Sequence, residues 1–252
     1  NMSGMLIAEY ILREKTKNNT MPVNPALVTT IVTTNMAEVI TKAYGVKMIE
    51  VLTGFKFIGE QIKFFEETGS NNYVFGLEES YGCLAGTYAR DKDACCAVTL
   101  LCEVAAYYKS KNMTLWDGMK ALYNKYGAYS EKLSYAVLQG KDGLEKIGKI
   151  MEKLRNNTAK SFGEFEIEAM RDYKLGTRVD YVNNTTEKTD LPTSDVLYYE
   201  FANDAWCAVR PSGTEPKMKI YSAVKGESLV NAEEKLARFN EKVMEIINEK
   251  LA

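Results

Sequence analysis

The run Arg210-Pro211-Ser212-Gly213-Thr214-Glu215-Pro216-Lys217 gathers the side chains suited to an oxyanion. Arginine presents a planar fork of donors that matches one face of a phosphate bidentately. Ser212 and Thr214 supply hydroxyls, and Gly213 frees the backbone to turn successive N–H groups into a concave nest. Lys217 and Lys219 add charge, while Pro211 and Pro216 stiffen the segment. An ordinary β-turn has the same composition, and composition alone leaves the two readings level. A second candidate is Gly76-Leu77-Glu78-Glu79-Ser80-Tyr81-Gly82, two carboxylates and a hydroxyl bracketed by glycines. It follows a short apolar run, and loops at the C-terminal ends of parallel strands carry ligands. Its groups suit vicinal sugar hydroxyls; taken alone, a solvated acidic turn is the better reading. Thr53-Gly54-Phe55-Lys56 is another strand-end turn. Arg90-Asp91-Lys92-Asp93 imitates half of a metal loop, but Ala94 and Cys95 stand where a third oxygen ligand is needed. The basic residues flanking Asp91 favour anion contact or helix capping instead.

The chain of 252 residues has no histidine. That excludes a Ser-His-Asp triad, a Cys-His pair, a histidine metal site and imidazole acid–base chemistry within it. Its five cysteines, Cys83, Cys95, Cys96, Cys102 and Cys207, form no Cys-x-x-Cys pair, which argues against zinc. They read as reduced core cysteines of a cytoplasmic protein. Lys plus Arg is 32 against 34 for Asp plus Glu, a net charge of −2, so no broad attraction to nucleic acid or an anionic membrane is expected. No apolar run approaches the ~20 residues of a membrane span. The opening Asn1-Met2-Ser3-Gly4 leads directly into an apolar helix without a signal peptide, as the middle of a domain would.

These segments need elements to hold them. The apolar pattern predicts helices over 3–16, 36–44, 57–67 and 93–109, with strands over 27–34, 46–52 and 73–75. Gly45 and Gly69 stop two of the helices, and Thr114 with Asp117 opens another that ends at Gly127. Strands alternating with helices predict an α/β domain with a mainly parallel mixed sheet over 1–130. Residues 131–252 read as a smaller α+β domain, an antiparallel sheet flanked by helices. Its expected strands are 129–138, 165–173, 178–181, 196–201, 206–209 and 218–224, with a polar loop at 183–190. One helix is capped by Asp142 and Glu145, and a final amphipathic helix starts at Ser228.

Taken together, the Thr53–Gly59, Gly76–Gly82, Arg90–Asp93 and Arg210–Lys217 motifs resemble, in order and spacing, the α-D-phosphohexomutase family, its bacterial phosphoglucomutases in particular. The resemblance implies a four-domain enzyme of which this chain matches the third and fourth domains. The phosphoserine loop and the Asp-rich magnesium loop belong to the first and second, and neither motif occurs here. What the resemblance implies is an intramolecular phosphotransferase that interconverts glucose 1-phosphate and glucose 6-phosphate through a 1,6-bisphosphate. Magnesium and glucose 1,6-bisphosphate would serve the whole enzyme, with no metal or cofactor bound by this chain. By motif position, Glu78 and Ser80 would bind sugar hydroxyls, Thr53 and Gly54 would line the same wall, and Lys92 would reach substrate. Arg210, Ser212, Gly213, Thr214 and Lys219 would hold the phosphate that is not reacting. Leu77 departs from relatives that carry glycine there. The expected partners are a sugar phosphate and the missing N-terminal domains, and the chain alone is expected to be inactive, with no catalytic residue of its own. The alternatives are a mutase for pentose, mannose or glucosamine phosphates, and a non-catalytic sugar-phosphate or anion-binding module.

Overall fold

Strand β1 (Pro25–Thr30) lies at the centre of one sheet because five of its six residues, Ala26 to Thr30, are buried. It pairs in parallel with β2 (Lys47–Val51) on one side and β3 (Asn72–Glu78) on the other, and β4 (Gly82–Ala85) runs antiparallel to β3. The order is β2-β1-β3-β4. The computed structural model describes residues 1–138, 143–156, 160–213 and 215–251. It divides into two compact units, Asn1–Gly127 and Ala128–Ala252, whereas the sequence reading placed the division after residue 130.

In the first unit, α3 (Phe55–Thr68) lays Phe55, Ile58, Ile62 and Phe65 on the sheet face formed by Ala26, Val28, Val51 and Tyr73. Helix α1 (Met2–Lys17) touches α2 (Met36–Ala43), α4 (Ala94–Lys109) and α5 (Leu115–Tyr126). The local signals act as expected. Gly69 takes a left-handed φ of 64° after α3. Thr114 and Asp117 close a reciprocal capping box on α5. Asp93 caps α4, its carboxylate accepting from the amides of Cys95 and Cys96.

The second unit is an antiparallel sheet in the order β5-β12-β11-β10-β7-β8-β9, with the two-residue β6 paired to β7. The strands are β5 (Ala128–Val137), β6 (Ser161–Phe162), β7 (Phe165–Asp172), β8 (Thr177–Asp180), β9 (Thr185–Lys188), β10 (Leu197–Phe201), β11 (Ala205–Pro211) and β12 (Lys217–Gly226). Helices α6 (Gly143–Asn156) and α7 (Leu229–Leu251) join one core through Ile147, Met151, Phe239 and Val243, packed on Tyr199, Cys207 and Ile220. The fold is therefore α/β followed by α+β.

Several expectations change. The first strand ends at Thr30, because residues 31–33 turn, the Thr33 amide donating to the Thr30 carbonyl at 3.0 Å. Residues 76–78 belong to β3 rather than to a loop, and β4 after them has too few residues to show an alternating pattern. The 183–190 segment contains β9, a fully exposed edge strand with no apolar face to betray it. The cap proposed at Asp142 lies outside the described residues. Cysteines divide as well: Cys83 and Cys207 are buried, but Cys95 and Cys102 are exposed. Among the described residues, no helix is long and apolar enough to cross a membrane.

Candidate functional site

In the first unit the chain goes from β1 to β2 on one side, then crosses back to β3 on the other. The reversal leaves a crevice between the C-terminal ends of β1 and β3, the place where open α/β sheets bind ligands. Three of the singled-out segments converge on this edge. The Thr30 hydroxyl, at the end of β1, donates to Glu79 Oε2 at 3.0 Å, bridging the crevice. Ser80 is exposed and donates to the other oxygen of Glu79 at 3.3 Å. Glu79 is thus tied into the loop, while Glu78 is directed elsewhere.

Glu78 ends β3 with its side chain only 8% exposed, 3.7 Å from the ammonium of Lys92. Burial pushes the Glu78 carboxyl above its ordinary value, the Lys92 charge pulls it down, and neighbouring Glu79 adds to the rise. Lys92 is fixed from two further directions. Its ammonium donates to Asp91 Oδ1 at 3.2 Å and lies 5.9 Å from the centre of the Phe55 ring. The Asp91 bond is the main reason its pKa is raised. Phe55 opens α3 directly after Thr53 and Gly54, so the Thr53 turn, Glu78 and Lys92 share one corner. Gly54 adopts φ 117°, a region that side chains avoid, which lets β2 turn abruptly into α3. Gly82 serves packing: a Cβ there would stand 2.6 Å from Lys92 Cδ and 3.1 Å from Glu78. Tyr81, at the hairpin tip, has φ 60° and a fully exposed side chain. That is the left-handed third position of a three-residue hairpin loop, which ordinarily favours glycine.

Arg90 faces away from this corner. It pairs with Glu66 of α3 and donates to the carbonyl of Thr87 at 2.6 Å, bracing the loop that presents Lys92. Asp91 and Asp93 are occupied by Lys92 and the α4 cap respectively. Among the described residues no three His, Cys, Asp or Glu side chains group as a metal site requires. The corner therefore offers a largely buried carboxylate acceptor beside an ammonium donor, a pair suited to adjacent hydroxyls.

The second unit presents the other motif on the β11–β12 hairpin. Arg210 and Lys219 are directly opposed across the strands. Two cations so placed disfavour one another, and an anion between them relieves the repulsion. The Arg210 fork donates to the Tyr221 hydroxyl at 3.0 Å and lies 5.7 Å from that ring's centre. Its Nε is buried without a hydrogen-bond partner among the described residues, a donor still to be used. Ser212 is buried, and its amide closes the loop by donating to the Lys217 carbonyl at 2.8 Å. Lys217 pairs with Glu215 at 2.5 Å, which lowers the Glu215 pKa. Gly213 does not adopt a left-handed φ, and the space where its side chain would stand is open. Thr214 lies outside the described residues. Sequence reasoning missed Thr30, Phe55 and Tyr221, whose parts depend on pairing across elements. Only the threonines ending the β-branched run gave any hint.

Residues 1–126 match the family model described as phosphoglucomutase/phosphomannomutase, alpha/beta/alpha domain III. A phosphoglucomutase of Staphylococcus haemolyticus is 33% identical over 218 residues, 86% of this chain and 38% of that protein. One from Staphylococcus aureus is 32% identical over 225 residues, 89% of this chain and 40% of its own length. The chain thus spans about two fifths of the curated relatives it matches. Among solved structures, parafusin from Paramecium, a phosphoglucomutase in its open form, aligns with TM-score 0.64 at 18% identity, over 98% of this chain and 41% of that one. A phosphoglucomutase/phosphomannomutase family protein of Burkholderia thailandensis aligns with TM-score 0.54 at 16% identity, over 99% and 41%. These structural likenesses concern the fold.

Proposed function

This chain belongs to the phosphoglucomutase/phosphomannomutase family, and from that premise we propose that it forms the sugar- and phosphate-binding C-terminal part of a cytoplasmic phosphohexomutase interconverting glucose 1-phosphate and glucose 6-phosphate. The observation that carries the reading is Glu78, a carboxylate 8% exposed, held beside Lys92 at the C-terminal edge of the sheet. Buried carboxylates that accept from sugar hydroxyls discriminate strongly, since an analogue lacking the hydroxyl leaves their hydrogen-bonding capacity unmet. In this reading Glu78 and Ser80 bind hydroxyls, Lys92 reaches substrate, and Thr53 with Gly54 forms the adjoining wall. Arg210, Ser212, Gly213, Thr214 and Lys219 hold the non-reacting phosphate. Both segments serve positioning and charge neutralisation, the larger part of phosphoryl-transfer catalysis. The nucleophile, magnesium and the use of glucose 1,6-bisphosphate fall to the rest of the enzyme. The described residues do not suit a metal ion, and no step here is routed through one.

Two outcomes follow. The chain alone should give only background in a coupled glucose 6-phosphate assay supplied with bisphosphate and magnesium; turnover proportional to pure chain would place the nucleophile within it. In the full-length protein, Glu78→Gln should lower kcat/KM on glucose 1-phosphate by roughly tenfold or more, through loss of charge-assisted bonds. Glu79→Gln should cost less, since an amide oxygen can still accept from Thr30. Equal and small effects would reduce the loop to an acidic turn. Running the same variants on mannose, glucosamine and pentose phosphates decides the preferred sugar.

A further inference from the structure

Helix α4 is apolar on the side it turns to solvent. Positions i, i+3, i+4, i+7 and i+11 share one helical face, and from Cys95 these are Cys95, Val98, Thr99, Cys102 and Ala106, all exposed. Val98 is 62% exposed. Only Val104 and Tyr108 of the helix are buried, and its only charged residues are Glu103 and the terminal Lys109. Helix α3 of the same unit shows the usual arrangement, exposing Lys56, Glu60, Lys63, Glu66 and Glu67. Beside α4 a cavity of about 320 Å³ opens between the start of α1, the β3–β4 hairpin and α4. Met2, Ile7, Leu77, Tyr81, Val98 and Leu101 form its apolar wall, Glu78 and Glu79 of the candidate sugar site its charged one, and Met2, Tyr81 and Val98 are exposed large apolar side chains. The helix face is an apolar surface of the kind monomers rarely leave uncovered.

The relatives indicate what covers it. This chain accounts for 38% and 40% of two staphylococcal phosphoglucomutases, and the unit bearing α4 matches their family's domain III. More than half of such a protein lies outside the match. We propose that the outer face of α4 is the seat on which that remaining polypeptide packs, covering Cys95, Val98 and Cys102, while the adjoining cavity, which holds Glu78, stays with the sugar site. The inference rests on family membership and on the exposed surface, and stands independently of which sugar the enzyme prefers. Cys95, Val98, Thr99, Cys102 and Ala106 carry no charge, which favours an apolar partner surface over a ligand with charged groups.

Thiol alkylation of the full-length protein, read residue by residue by mass spectrometry, tests this directly. Cys95 and Cys102 should react at least about tenfold more slowly in the native protein than in urea, as buried groups released only by local opening do. Cys207, buried within the second unit, serves as the internal reference. Val98→Asp, at a position outside the unit's own core, should raise the native reactivity of Cys95 and Cys102 while leaving Cys207 protected. The wild-type measurement does not depend on that variant folding. Native reactivity equal to the unfolded rate overturns the proposal. So does protection that appears only with concentration alongside a doubled mass in sedimentation, which would assign the face to a second copy of the chain.

Discussion

Replacing Arg210 with alanine in the full-length protein is expected to lower kcat/KM on glucose 1-phosphate by about ten- to a hundredfold, the equivalent of about 1.5–3 kcal/mol for a lost charged hydrogen bond. The loss should appear mostly in KM, because the non-reacting phosphate is held equally in ground and transition states. The structure supplies the controls. Arg210 also donates to Tyr221, so Tyr221→Phe, which keeps the ring beneath the guanidinium, separates that bond from phosphate binding. It should cost much less than Arg210→Ala. Arg210→Lys retains charge but not the fork and should fall between them. A kcat/KM within twofold of wild type for Arg210→Ala would remove this loop from the phosphate site. An amide titration with inorganic phosphate gives a second measure: shifts should centre on residues 210–217.

The other large effect concerns stability. Arg155, near the end of α6, donates to Asp172 at 2.6 Å and to Asp195 at 2.7 Å, and Asp172 is 1% exposed. The same carboxylate accepts from the amides of Lys174 and Leu175 at the β7–β8 turn. Arg155 thereby ties the helix to the end of β7 and to the segment that leads into β10. Arg155→Ala should lower the unfolding free energy by about 3–5 kcal/mol, since it leaves a buried carboxylate without its counter-charge. Adding Asp172→Asn to that variant should recover part of the loss, because the amide can still accept from the turn without carrying charge. Chemical denaturation of the second unit's core, followed through Trp206, reads both variants. A loss under 1 kcal/mol would mean that water reaches Asp172 and that the pair is no more than a surface bridge.

How much of this could be read from the chain alone depended on the range of the forces involved. The Thr114–Asp117 box and the Gly69 cap are settled within a few residues and were legible. The β4 strand was not, because Gly82-Cys83-Leu84-Ala85 is too brief to declare an alternation and is ordered by pairing with β3. β9 was hidden for a different reason: an edge strand of Thr, Thr, Glu and Lys buries nothing. Among the motifs, residue types were informative and partners were not. Nothing near Lys92 in sequence indicates Phe55 beside it, and Arg210 meets Tyr221 only through the β11–β12 register. The cysteines of α4 show the same limit. Apolar character reveals that a surface wants covering, without saying whether this chain does the covering.

The second unit's first strand and last strand are neighbours: β5 pairs along its whole length with β12, from Ala128 opposite Gly226 to Val137 opposite Lys217. During synthesis, β5 leaves the ribosome and must then wait for nearly the entire unit to follow before its partner exists. In the first unit, by contrast, β1 meets β2 after one helix. A message truncated between Val137 and Lys217 would therefore do more than shorten the sheet at its end. It would orphan the strand made first, leaving ten residues of backbone donors and acceptors open to any passing edge.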